Sequence, residues 1–301
     1  MATGGEGKVG YSLAKVGTLT LETIDHSPYY ISIVVCQDKI VVIDINVDKV
    51  QLYRLRDGKL LATSERLESW SHGICVMDAM TICVLHDDGL IKMMSIESTD
   101  MSRDLKTTRS LRLQGVLDRY AGVVRFKDNL VVSGVLKGTM YWCVVSLHDG
   151  HVGKIHQICK EDEWSRSSVT SKHNIIYISC IAGDKSDNTG VYGFDISNPS
   201  QCKYTYKHQR LQCPSSIVIN EDGNIFVCDH DCIHQLTAAC QLVAIFTQGI
   251  PSDPSAIFWG NGRLYLTCHD NSEITVFQPV YQGNHEDSEV KTSIEIEQGN
   301  V

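Results

Sequence analysis

Short runs of alternating apolar and polar residues fill the chain, and helical periodicity is almost absent. Segments such as SAIFWG, RLYLTC and EITVFQ are too short for helices and rich in β-branched and aromatic residues, so they read as strands. Turn dipeptides punctuate them at Asp57-Gly58, Asp88-Gly89, Asp149-Gly150, Asp222-Gly223 and Asn261-Gly262. Strands gathered in fours between such turns predict antiparallel meanders with apolar residues on both faces.

An anchor recurs at the start of each group: Pro or a substitute, any residue, usually a small residue, then Ile or Val. It reads Pro28–Ile31, Ser71–Ile74, Tyr120–Val123, Arg166–Val169, Pro214–Ile217 and Pro254–Ile257, at intervals of 40 to 49 residues. Tyr30 breaks the small-residue rule in the first copy. Six anchors at this spacing predict an all-β fold: a six-bladed β-propeller of four-stranded antiparallel blades. The last group supplies only three strands, and residues 10–24 are strand-like and unassigned. They are expected to form the outer strand of blade six and close the ring, which removes an open edge. The layout is then a flexible N-terminus over 1–9, a propeller over 10–282 and an acidic, disordered tail over 283–301.

Blade one, VVIDINVDKVQLYRLRDGKLL, resembles the NHL repeat at Asp44, Lys49, Val50, Tyr53, Asp57, Gly58 and Lys59. Residues 214–229 are similar to the front half of the same repeat. Blade six keeps Asn271, Ile274, Val276 and Phe277, but has Cys268 where the Asp would fall and Glu273 in place of the Arg. Blades two to four match only at the anchor. The chain to about residue 280 therefore looks like a divergent six-bladed NHL propeller, similar to the C-terminal domain of tripartite-motif (TRIM-NHL) proteins. In that family a RING, B-boxes and a coiled coil precede the propeller and carry ubiquitin-ligase activity. None of these is in this sequence, so the resemblance implies a recognition or scaffold role in the ubiquitin pathway. RNA binding, known for some members, is the alternative it implies.

Composition narrows this. The 301 residues are 43% hydrophobic and 21% charged, which excludes disorder, and no apolar run is long enough to span a membrane as a helix. A net charge of −9 disfavours nucleic acid. The twelve cysteines mostly sit inside apolar runs such as GICVM, TICVL and YWCVV, where a reduced thiol packs as a small hydrophobe. With no signal peptide and no glycosylation sequon, a cytoplasmic location is expected. Cys228, His230, Cys232 and His234 alternate along one extended run. Four ligands in a row cannot wrap one ion unless the backbone turns sharply, so they read as buried thiols and solvated histidines rather than zinc ligands.

No motif for a nucleophile elbow, phosphate loop, zinc protease or calcium loop is present, so no enzyme activity, cofactor or metal is expected. A calcium-dependent hydrolase of the lactonase type is the weakest reading kept open. The loops between second and third strands hold ten carboxylates, including Asp44, Asp87, Asp184, Asp229 and Asp270, against three lysines. Such a rim would favour a cationic peptide, although Asp also suits tight turns. Aromatic and Arg side chains near the same rim, namely Tyr30, Trp70, Tyr120, Trp164 and Arg166, complete the expected contacts of a protein or peptide partner. These aromatics could equally cap the packing between blades.

Overall fold

The computed structural model describes residues 11–23, 26–97, 104–113, 115–159, 167–181 and 188–281. The expected termini, 1–9 and 283–301, lie outside them. Twenty-four strands form six four-stranded antiparallel sheets, with no helix among the described residues. Consequently none there is long and apolar enough to cross a membrane.

Strand β1 (Tyr11–Thr20) comes first in the chain but belongs to the last blade. Blade one follows as β2 (Tyr30–Cys36), β3 (Lys39–Asp44), β4 (Lys49–Arg54) and β5 (Leu60–Thr63). Blade two is β6 (Ser71–Asp78), β7 (Thr81–His86), β8 (Leu90–Ser95) and β9 (Lys106–Arg112). Blade three is β10 (Arg119–Phe126), β11 (Asn129–Leu136), β12 (Thr139–Ser146) and β13 (His156–Cys159). Blade four is β14 (Ser167–Lys172), β15 (Ile175–Cys180), β16 (Gly190–Asp195) and β17 (Cys202–Tyr206). Blade five is β18 (Ser216–Ile219), β19 (Ile225–Cys228), β20 (Ile233–Leu236) and β21 (Leu242–Phe246). Blade six combines β22 (Pro254–Gly260), β23 (Arg263–Cys268) and β24 (Glu273–Tyr281) with β1, in the order β1-β24-β23-β22. The inner strands touch in a ring, β2, β6, β10, β14, β18 and β22, and β22 returns to β2. The chain is a six-bladed β-propeller closed by its N-terminal strand.

The unbroken apolar runs follow from this stacking. In β3, Val41 and Ile43 enter the core shared with blade two, while Ile40 and Val42 enter the core shared with blade six. Period-two alternation thus delivers both faces to apolar layers, and six such layers lie between the six blades. Each buried Val, Leu or Ile contributes roughly 1.5–3 kcal/mol, so these layers dominate the stability.

The registers correct the anchor of blade one. Ile33 lies opposite Val42, as Ile74 does Val84, Val123 does Val132 and Ile257 does Leu266. The repeat is therefore Tyr30-Ile31-Ser32-Ile33, two residues later than Pro28–Ile31, and Ser32 is its small residue. The ring of small residues becomes Ser32, Gly73, Gly122, Ser168, Ser216 and Ala256. Close approach explains it: a Cβ on Gly122 would stand 2.7 Å from Ser133 Oγ and 3.1 Å from Val169 Cγ1 in the next blade.

Candidate functional site

Four inner strands carry a β-bulge at their first residues, at Ile31, His72, Ala121 and Ser255. A bulge re-aims one side chain out of the alternating register. These four, with Ser167 and Ser215 of the remaining blades, line the mouth of the central channel. Each immediately precedes the small residue of its repeat. Ile45, Trp70 and His269 complete the mouth, which encloses about 60 Å³ and adjoins a channel of about 250 Å³.

The rim is aromatic and imidazole-rich. Trp70 is 55% exposed, although its backbone is fixed where its carbonyl accepts the Asp87 N–H at 2.8 Å. Its ring stands edge-on to His72 with centroids 6.3 Å apart. At the seam of blades six and one, Tyr29 stacks on His269 at 4.1 Å, and the Nδ1 of that imidazole lies 2.9 Å from Asp253 Oδ2. No Asp or Glu lines the mouth or the channel, so among the described residues no carboxylates converge there.

Several expected contacts lie elsewhere. Tyr30 is fully buried, its hydroxyl 3.5 Å from that of Tyr53, and Tyr120 is 2% exposed. Both sit just before a bulge, where the side chain still faces the layer between blades, so they are packing caps and not rim contacts. Asp44 and Asp229 are also buried. The Tyr29 and Asn46 N–H groups donate to Asp44 Oδ1 at 3.1 Å each, and His26 Nε2 donates to Oδ2 at 2.7 Å. Asp229 accepts from the Gln212 N–H at 2.9 Å and the Cys213 N–H at 2.5 Å. Equivalent Asp residues thus pin the loop entering their own blade from inside the fold. Asp88 is engaged by Arg112, Ser69 and the Leu90 N–H, and Asp48 by Arg66. Asp87 is half-buried and Asp270 exposed. Trp164, Arg166 and Asp184 lie outside the described residues.

The Cys228–His234 run folds unlike an extended strand. A tight turn, closed by the Asp229 N–H donating to the Cys232 carbonyl at 2.9 Å, separates β19 from β20. His230 points outward, with 68% of its side chain exposed, toward Asp253. His234 is fully buried instead of solvated. Its Nε2 lies 3.3 Å from Cys232 Sγ and 3.8 Å from Asp229 Oδ2, and its Nδ1 lies 2.8 Å from the Tyr206 hydroxyl. Burial outweighs the nearby carboxylate and pushes the imidazole down to about 4 and the Cys232 thiol up to about 12. Cysteine and histidine are thus both neutral near pH 7, the opposite of an activated thiolate–imidazolium pair. Among the described residues eleven cysteines are reduced thiols, nine of them buried.

What the sequence reading missed at the mouth is Ile31, His72, Ala121, Ser167, Ser215, Ser255 and His269. Six of these were legible as the position before the small residue, once blade one is read in the right frame.

No family model matches the chain, and no curated protein matches it. Solved structures do. A computationally designed protein, Ika8, aligns at 14% identity with a TM-score of 0.52, covering 86% of this chain and 73% of its own. BamB from Moraxella catarrhalis aligns at 15% identity with a TM-score of 0.48, covering 85% and 70%. At such identities a likeness bears on the fold alone.

Proposed function

We propose that this propeller is a non-catalytic, cytoplasmic interaction module that binds a protein or peptide segment across the mouth of its channel. The observation that carries the reading is Trp70, a large aromatic left 55% exposed on a fixed backbone at the mouth of a preformed cavity. A rigid, half-exposed aromatic offers much contact area at little entropic cost, as binding hot spots do. Neighbouring His72, His269 and the serine hydroxyls supply hydrogen-bonding groups to orient a backbone or polar side chain. Exposed Glu68, Asp231 and Asp270 near the rim favour a cationic segment.

The NHL-like repeat is the origin we infer for the fold, with a recognition or scaffold role like that of tripartite-motif propellers. A peptide is favoured over RNA because, among the described residues, no Lys or Arg lines the mouth to neutralise phosphate. The non-catalytic reading rests on a channel lined, among the described residues, without carboxylates and on a Cys232–His234 pair that is buried and neutral.

The test is selection from a displayed random peptide library with the full chain as bait. Enriched peptides should weaken about tenfold or more against Trp70→Ala, and stay unchanged with Val16→Ala on the outer edge of blade six. Equal affinity for Trp70→Ala would overturn the assignment.

A further inference from the structure

The junction of blades four and five holds a cluster that the peptide-binding reading does not use. Asp229, Cys232 and His234 are between 0 and 1% exposed, and their ligand atoms all lie within 4.8 Å of one another. Two donors on one tetrahedral zinc ion, at bond lengths of about 2.0–2.3 Å, stand roughly 3.4–3.6 Å apart. The Sγ–Nε2 separation of 3.3 Å and the Oδ2–Nε2 separation of 3.8 Å bracket that value, and the carboxylate and Sγ lie within 4.8 Å of each other. The turn at 229–232 is what brings three near-consecutive residues around one point. It removes the objection to ligands strung along a straight strand.

A supporting shell is also in place. A metal-bound imidazole needs its other nitrogen held, and a bound carboxylate needs hydrogen bonds of its own. His234 Nδ1 meets the Tyr206 hydroxyl at 2.8 Å, leaving Nε2 directed at the cluster. The N–H groups of Gln212 and Cys213 hold the two oxygens of Asp229, and each oxygen keeps a lone pair for coordination. Three protein donors leave one tetrahedral position. The nearest further imidazole is the half-buried His208, whose ring stands edge-on to that of His234 with centroids 5.7 Å apart.

We propose that Asp229, Cys232 and His234 bind one zinc ion, which locks the β19–β20 turn of blade five, with Asp229 already held by the N–H groups of the entering loop. A mixed sulfur, nitrogen and oxygen donor set suits zinc and excludes calcium or magnesium, which require oxygen ligands. Binding forms a Zn–S bond as the Cys232 thiol proton passes to solvent, so one proton leaves with each ion bound. Nothing is oxidised or reduced.

The experiment uses the full chain, loaded with zinc or cobalt(II) and freed of loose metal by gel filtration. One equivalent of zinc should be retained. It should fall at least tenfold in Cys232→Ser and in His234→Gln, and persist in Cys213→Ser and His230→Ala, which alter outward groups of the same region. Cobalt loading of the unmodified chain should give a thiolate-to-cobalt charge-transfer band, a reading that survives even if the buried-site variants fold poorly. A cobalt spectrum without that band would show that the cluster is only a hydrogen-bonded core, and zinc that persists in Cys232→Ser or is lost with Cys213→Ser would place the metal elsewhere and overturn the assignment.

Discussion

Leu13 lies opposite Pro279, so the first described strand of the chain is zipped along the last. Leu21, at its end, is buried in the layer between blades six and one, and the Glu22 N–H donates to the Gly58 carbonyl of blade one at 2.9 Å. The closing strand is therefore fastened to both neighbours of the seam. Deleting residues 1–24 should leave β24 as a bare edge and uncover that layer, producing insoluble protein or a Tm lowered by well over 10 °C. Thermal unfolding of the truncated chain at an unchanged Tm would refute the closure.

Gly58 tests the same fastening with a single atom. It holds φ +67°, and an added Cβ would stand within about 3 Å of Thr20 and Leu21 backbone atoms, in direct collision with the Thr20 carbonyl oxygen. Gly58→Ala should cost about 2–4 kcal/mol in urea unfolding. Gly17→Ala, where nothing lies within 4 Å, should change stability by less than about 0.5 kcal/mol.

Two tryptophans separate packing from recognition. Trp142 is fully buried against Phe194 and His156, with centroids at 5.7 and 4.9 Å. Trp142→Ala should cost about 3–5 kcal/mol. Trp70→Ala, on an exposed ring, should stay within about 0.5 kcal/mol of the unmodified protein while losing peptide affinity. Denaturant midpoints and binding isotherms on the same preparations check both halves.

His86 should make stability sensitive to mild acid. It is fully buried, with Nδ1 facing the hydroxyls of Ser69 and Ser71 at 3.2 and 3.1 Å, and burial depresses its protonation below the usual 6.5. The charged groups facing it oppose one another: Lys92 adds to the depression, and Asp87 and Asp88 offset part of it. The unfolded chain takes up the proton more readily, so stability should fall as pH drops below about 6.5 and hold steady above it. In a pH series of urea midpoints, His86→Asn should flatten that decline; an identical slope would remove His86 as its source.

How far the fold could be read shows in the anchors. Turn dipeptides and β-branched runs are local signals, and all five predicted turn residues, Gly58, Gly89, Gly150, Gly223 and Gly262, do adopt positive φ. The frame of blade one was misread because Pro28 imitates the prolines of blades five and six. Only its register against β3 shows that the repeat starts at Tyr30. For the rim, residue type was a poor guide. Tyr30, Tyr120 and Trp70 all sit at the entrance to an inner strand, yet two are buried and one is exposed.

Alternation, turns and repeat length established six meanders, a ring and its closing strand, because each depends on neighbours a few residues apart or on a simple count. The orientation of each rim side chain was decided in three dimensions. A bulge of one residue reverses which way a side chain faces, and it forms against a partner strand some ten residues away. Asp44 and Asp229 were likewise recruited inward, because backbone N–H groups of the incoming loops needed acceptors where water cannot reach.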